Sequence, residues 1–250
     1  MGTHRAQIIE IHDLAPGVRS FLLEVDETKG PYRYLAGQWL DLHVEIQGQE
    51  KIGGYSIYPP PPRSLLPPPR SLSPPPRSLP PPPRSGSRRV CIAVKKSKHP
   101  VATYLHESVR QQDCVQISEG QGPCYFDPKR DAGIPLVLIA GGIGITPIYS
   151  IFGAACEAGQ GARLLYSFRS SQCLFRDEIA ELLNAAKNAE VTFRDTESES
   201  RIDLAFLRKL RLPQSAVFYL CGPQGMIDEL DLGLRSLGYP SEQIRFEKWW

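Results

Sequence analysis

The sequence predicts a small antiparallel β-barrel followed by a parallel α/β domain. Three observations carry this. Short runs of alternating or β-branched residues, separated by turn residues, fill the chain as far as Ser118. From Ile134 onward, apolar strands alternate with helical stretches of about ten to fifteen residues, the signature of a parallel sheet. A glycine-rich turn, Gly141–Pro147, directly follows the first of those strands. A length of 250 residues suits two ordinary domains.

In the first half, Ala6–Ile11, Val18–Val25 and Trp39–Ile46 read as strands. The run Trp39-Leu-Asp-Leu-His-Val-Glu-Ile46 alternates almost cleanly, so one face is buried. Ile52–Tyr58, Arg89–Lys95 and Cys114–Ser118 complete the barrel, with a short helix near Val101–Arg110. In the second half, Pro135–Ala140 is a continuous apolar strand and Pro147–Glu157 is expected to be an amphipathic helix. Strands at Arg163–Ser167, Glu190–Arg194, Ala216–Cys221 and Gln243–Glu247 follow. Between them lie helices at Arg176–Asn188, Asp203–Leu210 and Pro223–Leu237. The boundary is expected near Asp127–Gly133, giving a barrel domain over 1–130 and an α/β domain over 131–250.

Fourteen of the 24 prolines lie between Pro59 and Pro83. Residues 59–86 are four seven-residue units, PPPPRSL, LPPPRSL, SPPPRSL and PPPPRSG. Proline removes backbone donors and fixes an extended backbone, so the expectation is an exposed, largely disordered insertion. Arg77-Ser-Leu-Pro80-Pro-Pro-Pro83 fits a ligand for SH3-type domains. A tandem expansion without a role reads the same way.

Between Tyr58 and Arg89 there are six Arg and no acid. The rest of the chain holds 23 basic and 27 acidic residues, a net charge of −4, which gives no reason to expect nucleic acid. No run approaches eighteen apolar residues, so no membrane span is expected. The six Cys show no Cys-x-x-Cys spacing and no iron–sulfur or zinc ligand set, so no metal site is expected. The N-terminus shows no apolar secretory core.

Three local signals bear on chemistry. Glycines in Gly141-Gly-Ile-Gly-Ile-Thr-Pro147 let a backbone approach a diphosphate, and the helix behind them offers free N–H groups. Pro147 suits a first helical turn. The same turn also serves as a purely structural one. Phe218-Tyr-Leu-Cys221-Gly-Pro223 places a thiol at the carboxyl edge of the sheet, where open α/β sheets bind ligands, although a buried Cys is often an inert hydrophobe. Gly54-Tyr55-Ser56-Ile57 ends a barrel strand with a ring and a hydroxyl that suit a flat ligand, or simply two opposite strand faces.

Taken together and in this order, these motifs resemble the ferredoxin–NADP⁺ reductase-like flavoenzymes, a flavin-binding barrel followed by a nicotinamide-binding α/β domain. The resemblance covers nearly the whole chain except 59–86. It implies FAD and NAD(P)H as cofactors. It implies that Tyr55 packs on the isoalloxazine and that the Ser56 hydroxyl faces its reactive nitrogen. His99-Pro-Val-Ala-Thr103 stands where the family has a G-x-x-S/T turn, and Thr103 is expected to cap a helix facing the flavin phosphates. Gly141, Gly142, Ile143, Gly144, Ile145 and Thr146 are expected to hold the nucleotide diphosphate. Cys221, Gly222 and Pro223 would border the nicotinamide. Glu247 matches a carboxylate near the C-terminus, and Trp250 a terminal aromatic that covers the flavin. Ser56, Cys221 and Glu247 are the expected catalytic residues, the latter two positioning the nicotinamide and tuning proton movement rather than attacking as nucleophiles.

One departure stands out. The Arg of the family's R-x-Y-S motif is Gly53 here. A hydrogen bond to a charged group is worth roughly 1.5–3 kcal/mol, so its loss weakens flavin binding by about 10- to 150-fold. Arg88, Lys96 and Lys98 are candidate replacements. For the nucleotide's 2′-position, Arg169, Ser170, Arg176, Ser200 and Arg201 are candidates, and no acid ends the second parallel strand. The expected function is hydride transfer from NAD(P)H to FAD, with electrons passed to an acceptor outside the chain. Two alternatives remain: a non-catalytic NAD(P)-binding module that has lost flavin, and an interaction protein acting through the Pro-rich arm. The family resemblance implies mitochondria, with the cytoplasm otherwise.

Overall fold

The computed structural model describes residues 2–58 and 87–247. The Pro-rich repeat 59–86, with its SH3-type motif, and the expected flavin cover Trp250 lie outside the described residues. Six strands close into a barrel in the order β1-β2-β5-β4-β3-β6. They are β1 (Thr3–Ala15), β2 (Val18–Asp26), β3 (Trp39–Ile46), β4 (Gln49–Tyr58), β5 (Ser87–Lys95) and β6 (Cys114–Ser118). All barrel pairings are antiparallel. β1 is longer than its apolar run because it pairs with β2 along one edge and with β6 along the other. Phe21, Leu23 and Val25 point into the barrel with Leu40, Leu42, Ile57 and Ile92. The alternate residues Val18 and Leu22 face outward with Tyr58, Cys91 and Ala93.

A parallel five-stranded sheet follows in the order β11-β10-β7-β8-β9. Its strands are β7 (Leu136–Gly141), β8 (Ala162–Phe168), β9 (Ala189–Asp195), β10 (Val217–Cys221) and β11 (Ile244–Phe246). The helices are α1 (Pro100–Glu107) beside the barrel, then α2 (Ile145–Glu157), α3 (Arg176–Ala185), α4 (Leu204–Lys209) and α5 (Gln224–Ser236). No described helix is long and apolar enough to cross a membrane.

α2 corrects one expectation. Its first two turns have no exposed face: Ile145 through Phe152 are buried without interruption, and the surface is reached at the end of the helix, by Gly153, Ala154, Cys156 and Glu157. A helix apolar all round is enclosed on all sides. α2 lies between the sheet and the outward face of the barrel, and both contribute to one continuous apolar cluster. Tyr58 of β4 meets Tyr149 of α2 and Phe175, with Tyr149 and Phe175 stacked at 4.7 Å.

The segment between β6 and β7 is pinned as well. Asp131 is fully buried and accepts from Arg130 Nε (3.0 Å), Arg245 Nη1 (2.7 Å), Tyr219 Oη (2.7 Å) and the Asp127 N–H (3.1 Å). These donors hold its carboxyl far below the usual range despite its burial. The network ties the connecting segment to β10 and β11.

Candidate functional site

The carboxyl ends of β7 and β10 are neighbours, with Ala140 paired to Cys221. The chain leaves β7 toward β8 on one side, while β10 lies on the other, so a crevice opens at this switch point. The glycine-rich turn fills it. Gly142 has φ +55° and nothing within 4 Å of where a Cβ would stand, so it faces open space in a conformation that favours glycine. Gly144 does the opposite: a Cβ there would lie 2.4 Å from the Cys221 carbonyl oxygen and 2.6 Å from the Gly222 nitrogen. Gly222 in turn approaches Gly141 closely. The predicted diphosphate residues therefore divide by role. Gly142 and Ile143 are partly exposed, in a 3-10 turn that runs directly into α2; the Ile145 N–H is bonded back to the Gly142 and Ile143 carbonyls, so the orphan N–H groups at this end are those of the 3-10 turn itself. Gly141, Gly144, Ile145 and Thr146 are buried, and the Thr146 hydroxyl donates back to the Ile143 carbonyl at 2.9 Å. Pro223 is exposed at the start of α5.

A small cleft lies between the sheet edge at Cys221 and the barrel. Ser56, Cys221 and Glu247 line it together, with Gly37, Cys124, Leu220 and the α2 residues Pro147, Ile148 and Ile151. The three expected catalytic residues, from a barrel strand, a sheet strand and the chain's last described position, are thus brought to one place. Glu247 is half-buried. Burial pushes its carboxyl above the usual range, opposed by the Cys124 N–H at 3.3 Å and by the Trp39 indole. The Cys221 thiol is pushed up to about 12, by burial first and by the Glu247 charge second. Cys124 is raised by the same causes. Both are neutral thiols near neutral pH, not thiolate nucleophiles.

Sequence reasoning missed Trp39, Gly37, Gly122 and Cys124. Gly37 carried a signal in its turn position before β3. It has φ +105°, and a Cβ there would come within 2.6 Å of the Cys124 carbonyl oxygen and 2.8 Å of Ile151 Cδ1.

On the barrel side, Tyr55 is half-buried against the interior cluster, and burial raises its hydroxyl well above the usual range. Its ring folds over Gly53: a Cβ at Gly53 would lie 2.9 Å from the Tyr55 hydroxyl and 3.0 Å from Cε2. The departure from R-x-Y-S therefore has a local consequence, because Tyr55 covers the position from which that Arg would project. Of the candidate replacements, Arg88 donates to the Tyr32 carbonyl (3.0 Å) and lies over the Tyr34 ring, and Lys96 pairs with Glu107 at 3.1 Å. Lys98 is exposed, one residue before His99, the N-cap of α1.

Thr103 is a correction. The N-cap of α1 is His99, with no side-chain cap, and Thr103 lies inside the first turn. Its hydroxyl donates to the Ser97 carbonyl at 3.2 Å, because Pro100 fixes the start of the helix three residues earlier than the expected cap.

At the far end of the sheet, Arg169 and Ser170 are exposed after β8. Arg176 is engaged over the Phe193 ring at 4.5 Å, and Arg194 donates to Ser200. The acid that the end of β8 lacks is supplied by its neighbour: Asp195, paired with Phe168 in register, accepts a close hydrogen bond from the Ser170 hydroxyl.

The chain matches the oxidoreductase NAD-binding domain model over residues 138–231. It is 32% identical to oxidoreductase NAD-binding domain-containing protein 1 of Bos taurus, over 98% of this chain and 80% of the relative. Among solved structures it resembles the flavohem-like FAD/NAD binding domain of nitric oxide dioxygenase from Vibrio cholerae. That match has a TM-score of 0.74 and 25% identity, covering 98% of this chain and 97% of the other. It shares its fold with the Amycolatopsis cytochrome P450 reductase GcoB, at TM-score 0.76 and 20% identity over 99% of this chain and 69% of that one. The chain belongs to the oxidoreductase NAD-binding domain-containing protein 1 family, within the ferredoxin reductase-like fold.

Proposed function

We propose that this protein is an NAD(P)H-dependent flavin oxidoreductase that binds FAD on the barrel and passes electrons to an acceptor outside the chain. The observation that carries this is the convergence of Ser56, Cys221 and Glu247 in one small cleft between the barrel and the sheet edge. Family membership and the likeness to an FAD/NAD binding domain support it. When bound, flavin supplies hydride acceptance and the onward release of electrons.

The residues fit these groups. The open backbone at Gly142 and the orphan N–H groups of its 3-10 turn suit a diphosphate. On the barrel, α1 offers its own first-turn N–H groups, with Lys98 beside them as the replacement charge for Gly53. Ser56 presents a hydroxyl at the cleft, while Tyr55, on the opposite face of β4, packs its ring against the barrel's interior cluster over Gly53. The neutral Cys221 thiol packs at the sheet edge without competing as a nucleophile. Glu247, with its carboxyl raised by burial, holds or releases a proton at the cleft. The apolar α2 residues and Leu220 exclude water from the same space.

A second reading, a nucleotide-binding module without flavin, is favoured by one observation: Tyr55 is folded over Gly53. The visible absorption spectrum of the purified full chain separates the two. A flavin spectrum that bleaches with NADH or NADPH under anaerobic conditions supports the oxidoreductase. A colourless protein that binds nucleotide but cannot be reconstituted with FAD supports the module.

A further inference from the structure

We propose that Trp39 is a positioning residue: with the backbone of Gly122–Cys124 it forms a receptacle on the barrel that holds the Glu247 carboxylate beside Ser56 and Cys221. This rests on the cleft being the hydride-transfer site.

Glu247 follows directly on β11, a strand of three residues that pairs, among the described residues, with β10 alone at the edge of the sheet. That strand restrains a side chain beyond its end very little. The restraint comes instead from the barrel. The Trp39 indole hydrogen-bonds the carboxylate, and the Cys124 N–H donates to Oε1 at 3.3 Å. Between these donors the wall of the receptacle is Gly122, with φ +95°. A Cβ there would stand 2.0 Å from Glu247 Oε1 and 2.7 Å from Trp39 Nε1. No other residue leaves room for the carboxylate.

Trp39 is itself fixed on both sides. Its Cα partner across β3–β4 is Ser56, the barrel residue of the cleft. On the other side its N–H donates to the Gln121 carbonyl (3.2 Å) and its carbonyl accepts from the Gln121 N–H (2.7 Å). One residue therefore sets the spacing between the Ser56 strand and the loop that grips Glu247. The titratable groups facing Glu247 are the Cys124 and Cys221 thiols, and the cations that act on Cys124, Arg130 and Arg245, are committed to Asp131. The indole is thus a principal donor to this acid. Without it the carboxylate keeps one long hydrogen bond and is free to turn away.

The test uses the full chain and two readouts. In ¹⁵N-labelled protein without added cofactor, the Trp39 indole N–H resonance, identified by its absence in Trp39→Phe, should titrate with pH. Glu247→Gln should shift it and abolish the titration. In anaerobic rapid mixing, Trp39→Phe should slow the limiting rate of flavin reduction about ten-fold while leaving the nucleotide's apparent Kd within about two-fold. In a Glu247→Gln background the same substitution should change nothing further. An indole resonance indifferent to Glu247→Gln, or an equal slowing in both backgrounds, overturns the proposal. The chain has three Trp, so the Trp39 resonance is also assigned by elimination with Trp249→Phe and Trp250→Phe, and a misfolded Trp39→Phe does not remove the Glu247→Gln test. If the wild-type protein takes no electrons from either nucleotide, the hydride-transfer reading fails, while the spectra still decide whether the receptacle exists.

Discussion

Replacing Gly144 by Ala separates the structural glycines of the glycine-rich turn from Gly142, which faces open space. Gly144 has φ −61°, so alanine brings no backbone strain. It brings a steric conflict with backbone: the new methyl would lie 2.4 Å from the Cys221 carbonyl oxygen, 2.5 Å from its carbon and 2.6 Å from the Gly222 nitrogen. Ordinary contact needs about 1 Å more. No flexible side chain can yield, so the start of α2 must move off β10. α2 is buried on nearly every side, against the sheet and the barrel. Overpacking of this kind costs about 1–3 kcal/mol and occasionally more, and the upper end is expected here. Urea unfolding followed by far-UV circular dichroism measures it, with unchanged m so that the midpoint reports stability. The same variant should also weaken nucleotide binding, because moving α2 misplaces the turn. Gly153→Ala, in the same helix with its nearest neighbour at 3.8 Å, is the control and should stabilise by about 0.5–1 kcal/mol. A Gly144→Ala protein as stable as wild type, with unchanged nucleotide affinity, would refute the close-approach argument.

Other consequences follow from the same geometry. Asp131→Asn should destabilise by about 2–3 kcal/mol, the moderate end for a broken buried pair because Arg130 and Arg245 reach solvent. The Asp131 carboxyl lies below its ordinary range when folded, so its contribution is present above about pH 4 and lost as pH falls below that. Unfolding free energy measured against pH should show an acid limb that flattens in the Asn variant. Iodoacetamide followed by peptide mapping should modify the exposed Cys114 first, and leave Cys221 unmodified until the chain unfolds, since its thiol is buried and titrates near 12. NADH should reduce the protein faster than NADPH, because Asp195 beside Ser170 repels a 2′-phosphate. Asp195→Asn should narrow that ratio, and a wild-type preference for NADPH would count against the assignment.

The elements whose faces differ were legible in the sequence. β3 and β6 begin and end where their residue patterns do, because one face of each is apolar and the other is not. The Gly-rich turn and the Cys221 strand were legible because glycine and a continuous apolar run report backbone demands directly. What was not legible depends on contacts between distant segments. Trp39 reads as an ordinary strand residue until Glu247 arrives beside it from the other end of the chain. Asp131 reads as a polar residue of a connecting segment, yet it is fully buried because Arg130, Arg245 and Tyr219 converge on it. α2 was read as amphipathic because its small and hydroxyl residues resemble a polar face. Thr146, Tyr149 and Ser150 are nonetheless buried, Tyr149 against Tyr58 of the barrel. The acid at the end of β8 escaped notice because it belongs to β9 and is placed there by strand register.

The central claim is that Ser56, Cys221 and Glu247 form one site for hydride transfer. Anaerobic stopped-flow reduction of the flavin-loaded protein by NADH, comparing wild type with Glu247→Gln and Cys221→Ala, tests it most directly. Each substitution should slow the limiting reduction step by about ten-fold or more while changing nucleotide affinity little, since groups that act in the transition state lower the rate rather than binding. Reduction at wild-type rates in both variants would contradict it.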